Sequence, residues 1–244
     1  MSVRDEILER KATIKENNQK IYDQGVLDSK KAFENALTNN WTRNVYVRAF
    51  SNTNYSGYEF SQPIKPTNVM AQMFYSCEAM TELPKPLDFS EILTTCTDNY
   101  ANRRAVFSYC VKLKVIHDFN MRAIGGLEEW FSYCESLETI ELLRVNEDTV
   151  YAASGGTPFY GCRKLQNIKF DGVIGQNIGF LQSPLLTKKS LINIAEHLKD
   201  FSSEEGTDNL RTITFHDTIK TYLRDDPEGQ IIGAMIATKR WGVM

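Results

Sequence analysis

The amino-acid sequence predicts an α+β fold in which an N-terminal helix is followed by an irregular solenoid of repeats and by an α/β cap. Three observations predict it: a phrase that recurs four times, a start rich in helix-forming residues, and an end in which helix and strand patterns alternate. In a stacked array each repeat contacts only its neighbours, so a separate structure must cover each end.

The recurring phrase places a phenylalanine three residues before a cysteine, and apolar residues three and six residues after that cysteine. It reads FYSCEAMTEL, FSYCVKLKVI, FSYCESLETI and FYGCRKLQNI, with phenylalanines at Phe74, Phe107, Phe131 and Phe159 and cysteines at Cys77, Cys110, Cys134 and Cys162. Successive cysteines are 33, 24 and 28 residues apart. Periods in this range are typical of leucine-rich repeats, whose units each give one short strand and one turn of irregular or helical backbone.

The apolar residues of the phrase are expected to form the core of the array. The phenylalanine and the leucine six residues later bury between the two layers, and the isoleucine three residues further on points inward from the strand. The leucines are Leu113, Leu137 and Leu165, and the isoleucines are Ile116, Ile140 and Ile168. The first unit carries Met80 at the leucine position.

The cysteines predict a packing column rather than a metal site or a disulfide scaffold. Cysteine is small, often fully buried, and a weak donor that can serve a turn carbonyl. Zinc sites use ligands paired at short spacing such as C-x₂-C, and the sequence contains no such pair. The count of five cysteines is odd and Cys96 lies outside the phrase, which argues against paired disulfides. We therefore expect no metal and no cofactor.

The segments on either side of the repeats have different compositions. Residues 1–40 form a helical segment in which an isoleucine recurs every seven residues, at Ile7, Ile14 and Ile21. The second apolar column of a coiled coil is missing, so a short amphipathic helix is preferred and self-association through this helix is the alternative. Residues 41–66 are an aromatic-rich entry segment, residues 67–181 hold the repeats, and residues 182–244 form the cap.

The cap is predicted from patterns at the end of the chain. The segment LTKKSLINIAEHLKDF is an amphipathic helix with Thr187 as its N-cap, and its apolar face carries Leu191, Ile194, Ala195 and Leu198. LRTITF then predicts a strand, DDPEG a turn and helix start, and IIGAMIATKRWGVM a helix that ends near a short aromatic strand. Before the helix, Asp171-Gly172 is a turn signal after the strand IKFD.

With these motifs in view, the chain resembles the BspA-like (treponemal-type) leucine-rich-repeat proteins, whose units carry F-x-x-C-x-x-L-x-x-I. The match covers about residues 67–181. The flanks WTRNVYVRAF, IKPTNVMAQMF, FDGVIGQNIGF with LTKKSLINIAEHLKD, and IATKRWGV are similar to those of repeat proteins encoded in phage and prophage regions of Gram-positive bacteria. Those relatives end in a threonine-rich strand and a tryptophan–glycine pair; here the strand is only LRTITF and the pair is Trp241-Gly242. The resemblance implies a phage or prophage structural or surface-binding protein.

Charge and hydropathy exclude several classes of partner. The 28 basic and 31 acidic side chains leave a formal charge of −3 and a pI near 5.7, which argues against a phosphate-binding surface. Nucleic acid is therefore not an expected partner. The longest apolar runs are too short for a bilayer helix, and the charged start MSVRDEILER does not read as a secretory signal. Membrane insertion is not expected either.

Residues with catalytic chemistry do not form a recognisable pattern. His117, His197 and His216 are far apart in sequence, and no G-x-S-x-G elbow accompanies them. We expect His117 and Asp118 to form part of a repeat turn. Ser154-Gly155-Gly156 lacks the phosphate-binding patterns, and the acidic residues around Pro227 suit a helix N-terminus. We therefore predict that the protein is not an enzyme.

Tyrosines are the candidate contact residues. Tyr55 and Tyr58 lie in the polar segment NTNYSGYEF, whose composition suits a binding loop, and the preferred alternative is that they cover the open N-terminal end of the array. Each phrase also holds a tyrosine. Tyr75 and Tyr160 directly follow the phenylalanine, whereas Tyr109 and Tyr133 come one residue later. Because the two offsets differ, we expect only some of these rings to point outward together.

These patterns favour a non-enzymatic structural or binding protein of a phage or prophage. We expect a tail or tail-tip component, assembled in the host cytoplasm and located in the virion, which contacts other virion proteins or the host cell surface through its repeat face. The alternative is a bacterial surface adhesin or interaction module of the BspA-like type, in the bacterial cytoplasm or at the cell surface. A homo-oligomer formed through the N-terminal helix is a further expectation.

Overall fold

The computed structural model describes residues 13, 16–17, 20, 51, 59–64, 71–83, 85–87, 104–122, 128–149, 158–205 and 211–244. The chain divides into two compact units, Met1–Arg43 and Asn44–Met244. In the first unit the four described residues are helical and exposed, and Glu16 forms an ion pair of 2.8 Å with Lys20 one turn later. Ile7, Ile14 and Ile21 lie outside the described residues, so self-association through this helix stays a prediction.

The second unit contains eight described strands and three described helices. The strands are β1 (Glu59–Ile64), β2 (Lys85–Leu87), β3 (Val115–Asn120), β4 (Thr139–Arg144), β5 (Asn167–Asp171), β6 (Ile178–Phe180), β7 (Arg211–Phe215) and β8 (Trp241–Val243). The helices are α1 (Lys188–His197), α2 (Asp217–Asp225) and α3 (Pro227–Thr238). The strands form three parallel sheets, of order β1-β2, β3-β4-β5 and β6-β7-β8.

The second, third and fourth phrases each form a turn that leads into one strand of the central sheet, and the first phrase leads into β2 of the first sheet. The isoleucines that close three phrases face one another across this sheet in the register Ile116↔Ile140↔Ile168. On the turn side, the backbone N–H of Phe107 donates to the carbonyl oxygen of Trp130 at 2.9 Å, and Phe131 N–H donates to the Pro158 carbonyl at 2.9 Å. Neighbouring units are therefore joined by parallel backbone hydrogen bonds on two sides.

The phenylalanines stack into one continuous column. Neighbouring ring centroids are 5.3, 5.6 and 6.2 Å apart along the four phrases, and the planes of these rings are inclined by 9° or less. Two rings extend the column beyond the phrases: Phe180 lies 5.3 Å from Phe159, and Phe215 lies 6.0 Å from Phe180. The same column thus connects the repeats to the third sheet.

A fifth turn follows the four phrases with serine in place of cysteine. Phe180, Ser183 and Leu186 are buried and have the spacing F-x-x-S-x-x-L. The Ser183 N–H donates to the Phe180 carbonyl at 3.0 Å, as the cysteine N–H does in the preceding turns. Its hydroxyl donates to the Cys162 carbonyl at 3.1 Å. The repeated turn therefore reaches into the segment that the sequence assigned to the cap.

The four cysteines of the phrases are fully buried, and their thiols are not in disulfides. Each thiol after the first donates to the phenylalanine carbonyl of the preceding unit: Cys110 to Phe74 at 3.3 Å, Cys134 to Phe107 at 3.2 Å, and Cys162 to Phe131 at 3.1 Å. The thiol thus gives a second hydrogen bond to a carbonyl that already accepts the cysteine N–H of its own turn. Cys96 lies outside the described residues.

Burial raises the pKa of the Cys110, Cys134 and Cys162 thiols, and for Cys110 and Cys134 a neighbouring thiol adds to the effect. The folded chain therefore holds these protons more tightly than the unfolded chain, whose thiols titrate near pH ~8.5. We expect the free energy of unfolding to be insensitive to these thiols below that pH and to fall as the pH rises above it, by up to ~1.4 kcal/mol per pH unit for each thiol.

Denaturant titrations between pH 7 and pH 10 measure this slope. Cys134→Ala is the comparison variant, because it removes one of the three thiols while keeping a small apolar side chain. Above pH ~8.5 the free energy of unfolding should fall less steeply with pH in the variant than in the parent protein. Equal slopes in the two proteins would show that ionisation of these thiols is not coupled to folding.

Helix α1 ends the central sheet by covering the edge of β5. The Ser190 hydroxyl accepts from Ile168 N–H at 3.0 Å, and the Asn193 side-chain oxygen accepts from Phe170 N–H at 2.7 Å. The predicted N-cap of this helix is confirmed, since the Thr187 hydroxyl accepts from the Ser190 N–H. These two side chains thus accept the hydrogen bonds that a further strand would accept, so the edge of β5 does not present these N–H groups to another strand.

Of the remaining helices, α3 packs on β8 and α1, and α2 packs on α3. Helix α3 begins at Pro227 with Asp226 as its N-cap, in agreement with the expected helix start at DDPEG. Helix α2 was not predicted; its N-cap is His216, whose Nδ1 accepts from the Thr218 N–H at 3.1 Å. A histidine cap lies outside the serine, threonine, aspartate and asparagine set that usually identifies a helix start.

A basic residue after α3 holds the end of α1. The Lys239 ammonium donates to the carbonyl oxygens of Ala195, Glu196 and Leu198 at 2.9, 2.7 and 2.9 Å. These carbonyls belong to the last turn of α1, where backbone acceptors lack intrahelical donors and positive charge is favourable. The buried Trp241 adds a bond from its indole N–H to the Lys199 carbonyl at 2.9 Å.

Replacing Lys239 with methionine removes the ammonium and keeps a long apolar stem. We expect the free energy of unfolding to fall by ~1.5–3 kcal/mol, because three carbonyls, two of them in partly buried hydrogen bonds, lose a charged donor. Lys220→Met is the matched control, since Lys220 pairs with the exposed Asp217 on its own helix and should change stability by less than ~1 kcal/mol. Equal losses in chemical denaturation of the two variants would contradict this role of Lys239.

Candidate binding surfaces

Four tyrosines form one continuous row on the surface of the repeats. We call Tyr75, Tyr109, Tyr133 and Tyr160 the tyrosine row. Ring centroids are 5.2 Å apart for the first pair, 4.5 Å for the second and 5.3 Å for the third. Tyr109 is 36% exposed and the other three rings are half-buried. The expectation that only some of these rings would point outward together was wrong.

Backbone conformation explains why rings from two sequence offsets meet in one row. The residue before each cysteine has a left-handed backbone, with φ between 57° and 80° at Ser76, Tyr109, Tyr133 and Gly161. In two units that residue is itself the tyrosine, whereas in the other two it is a small residue and the preceding tyrosine supplies the ring. Each unit therefore contributes one ring to the row. A left-handed tyrosine is uncommon, which makes this placement hard to read from sequence.

A groove of about 510 Å³ runs along the tyrosine row. Its other lining residues are polar: Gln72, Arg104, Ser108, Glu129 and Ser132. The Ser108 hydroxyl donates to the Glu129 carbonyl and so fixes part of the floor between two units. Partial burial raises the pKa of Tyr109, with contributions from Tyr133 and Tyr75. The phenol therefore stays protonated and can donate a hydrogen bond at neutral pH.

The exposed face of the central sheet carries a network of charged side chains. Arg144 on β4 binds both carboxylate oxygens of Asp118 on β3, at 2.9 and 2.8 Å, and also contacts Asp171 on β5 at 2.9 Å. Arg122 reaches the same Asp171 oxygen at 3.0 Å. The hydrogen bonds from Arg144 lower the pKa of Asp118. The network ties three strands together at the surface.

The sequence did not predict this network. Two residues of β3, of which Asp118 belongs to the network and His117 precedes it, were expected in a different element. His117 and Asp118 were expected in a repeat turn, but both lie within β3 and are exposed. The strand continues because Val115 to Asn120 pair in register with Thr139 to Arg144. His117 lies 2.9 Å from Glu141 on the next strand. The opposite charges of Arg144 and Asp171, which lie at matching positions of β4 and β5, were the available signal.

A second groove, of about 620 Å³, lies between the sheet and helix α1. Strands β4 and β5 contribute Glu141 and Lys169 to one wall. The helix contributes Lys189, Ile192 and Glu196 to the other wall. Charges of both signs line this groove, so its electrostatics select no single class of ligand.

The structure places the predicted repeat residues in the core and not at a surface. All of these phenylalanines, cysteines, leucines and isoleucines are at most 3% exposed: Phe74, Cys77, Phe107, Cys110, Leu113, Ile116, Phe131, Cys134, Leu137, Ile140, Phe159, Cys162, Leu165 and Ile168. Ile140 and Ile168 also line the groove beside α1, whereas the other residues of this set line neither groove. The predicted binding-loop residues Tyr55 and Tyr58 lie outside the described residues.

The other histidines have local structural contacts. His197 Nδ1 lies 2.8 Å from the Asn193 carbonyl oxygen within α1, and His216 caps α2.

Within the described ranges, no group of three or more histidine, cysteine, aspartate or glutamate side chains could hold a metal ion. No helix in the described part of the chain has the length and apolar composition needed to cross a membrane. No protein-family model, curated protein or solved structure matches the chain.

Proposed function

We propose that the protein is a non-enzymatic binding component built as a leucine-rich-repeat solenoid, and that it forms part of the tail or tail tip of a phage or prophage particle. The tyrosine row carries the proposal of a binding role. Successive units bring one ring each to the same surface, 4.5–5.3 Å apart, beside a polar groove. A surface repeated in this way suits a partner that is itself extended.

The rings are held rigidly, which favours binding. Backbone bonds join the units directly beneath the row, including Tyr109 N–H to Ser132 oxygen at 2.8 Å and Tyr133 N–H to Tyr160 oxygen at 2.6 Å. Tyrosine supplies a large amphipathic contact area at low cost in side-chain entropy. A preorganised row loses little freedom when a partner binds, so more of the contact energy contributes to affinity.

The particle location rests on the resemblance of the flanks to phage-encoded repeat proteins. One of these flanks, IATKRWGV, contains Lys239 and Trp241. Both side chains donate hydrogen bonds to backbone carbonyls at the end of α1 or just after it. A protein that presents the tyrosine row on a larger assembly needs a segment that fixes the end of the repeat array, and IATKRWGV provides such contacts.

Mass spectrometry of purified particles tests the proposal. Particles are prepared from an induced strain that carries the gene, and from the same strain with the gene deleted and restored. We expect the chain in tail fractions at a fixed ratio to the major tail protein, and fewer infective or adsorbed particles after deletion. Absence from particles with unchanged adsorption would refute it, and recovery of the chain on the bacterial surface without particles would favour the adhesin alternative.

A further inference from the structure

The tyrosine row presents ring edges to its groove rather than open ring faces. Tyr109 and Tyr133 are stacked at 4.5 Å with an angle of 14° between their planes, so each covers one face of the other. Tyr75 and Tyr160 close the row at tilted and perpendicular angles, 56° and 76°. A ligand in this groove therefore meets a line of phenol groups, one for each repeat unit.

The lining of the groove is rich in hydrogen-bonding groups and balanced in charge. Besides the four phenols, its described lining includes the Arg104 guanidinium and the Glu129 carboxylate. Among the described lining residues, one positive and one negative side chain give no preference for an anion or a cation. A neutral ligand with many hydroxyl groups matches such a lining, because each hydroxyl both donates and accepts a hydrogen bond.

The spacing of the rings matches the repeat distance of a glycan better than that of a peptide. In an extended peptide, side chains on one side recur about every 6.5–7 Å, and in a polyproline II helix a turn rises about 9 Å. Neither repeat matches ring steps of 5.2, 4.5 and 5.3 Å. A chain of β-1,4-linked pyranoses advances by nearly such a step for each sugar, so successive sugars would meet successive tyrosines.

We propose that the groove along the tyrosine row binds a neutral, extended β-1,4-linked glycan, with about one sugar for each tyrosine. This inference rests on the proposed binding function and names the ligand class of the same surface. The phenols of Tyr109 and Tyr133 hydrogen-bond the central sugars, and Arg104 and Glu129 bind hydroxyl groups at the side of the groove. Since charge contributes little, the affinity depends only weakly on salt.

Isothermal titration calorimetry on the full chain tests this inference with soluble oligosaccharides. The probes are β-1,4-linked N-acetylglucosamine and glucose oligomers of two to six sugars, with an α-1,4-linked glucose hexamer and a polyproline peptide for comparison. We expect binding only of the β-linked oligomers, with an affinity that rises up to about four sugars and then levels off. Absence of binding by every β-linked probe, or equal binding of the α-linked hexamer or the peptide, would overturn the proposal.

Tyr109→Phe and Tyr133→Phe keep the ring and the backbone and remove only the hydroxyl. Each should weaken glycan binding about 3- to 10-fold, as expected for the loss of one hydrogen bond. Tyr222→Phe, in α2 and away from the row, is the control and should bind like the parent protein. Unchanged affinity in both row variants would refute the site. Failure of these tests with the chain still present in particles would refute the glycan site alone.

Discussion

Replacing Gly229 with alanine is expected to lower the free energy of unfolding by about 3 kcal/mol or more. Gly229 lies in the first turn of α3, where a Cβ atom would be 2.0 Å from the Tyr222 carbonyl oxygen and 2.7 Å from its carbon. The contact is with backbone and not with the end of a flexible side chain. The helices cannot separate easily, because the Asp226 N–H donates to the same Tyr222 oxygen at 3.1 Å.

Gly233→Ala, one turn later in the same helix, is the matched control. A Cβ atom there would lie 3.4 Å from the Leu223 carbonyl oxygen, which is an ordinary contact. Alanine is the better helix former, so this variant should be unchanged or more stable by up to ~1 kcal/mol. Thermal and denaturant unfolding of both variants give the comparison. A loss of similar size in the two would mean that helix propensity, and not the close approach of α2 and α3, decides the result.

The second large effect is expected from Phe131→Ala, which interrupts the phenylalanine column at its third ring. Phe131 is fully buried and lies between Phe107 at 5.6 Å and Phe159 at 6.2 Å, with the edge of Phe119 at 5.9 Å. Truncation leaves a cavity that the two backbone ladders prevent from closing. We expect the free energy of unfolding to fall by ~3–5 kcal/mol.

Tyr133→Ala provides the comparison within the same turn. Its ring is half-buried and contacts Tyr109 and Tyr160 in the surface row, so the loss should be about 1 kcal/mol, near the centre of the range for point variants. Because the column reaches Phe215, hydrogen exchange should show weaker protection of β7 as well as of β4 in Phe131→Ala. Weakened protection of β4 alone would show that the column does not couple the repeats to the third sheet.

The repeat spacing alone specified which residues are equivalent. Phenylalanine, cysteine, leucine and isoleucine recur at fixed offsets, and at those offsets the side chains lie in the same layers of the core. The amphipathic pattern predicted the helix after Thr187, and the Asp-Gly pair predicted the turn at Gly172, whose φ is +109°. These features depend on local backbone geometry and on side-chain type, so they can be read from short stretches of sequence.

The fifth turn was not predicted from the sequence. The four phrases were recognised by their cysteine, and the equivalent phrase that begins at Phe180 has Ser183 at the cysteine position. A serine hydroxyl fills nearly the same volume as a thiol and donates to a turn carbonyl in a similar way. The useful marker was the phenylalanine with its spacing, since the ring column continues through both kinds of turn.

The sequence by itself determined the repeat register, the buried positions and the helix start at Thr187. Only the tertiary structure decided what the surface presents. The tyrosine row forms because left-handed residues at the same place in each turn bring rings from two sequence offsets to one line. The charged network on β3, β4 and β5 likewise depends on the register between strands. Contacts between residues distant in sequence are set by how the units stack, and a single unit's sequence does not contain that information.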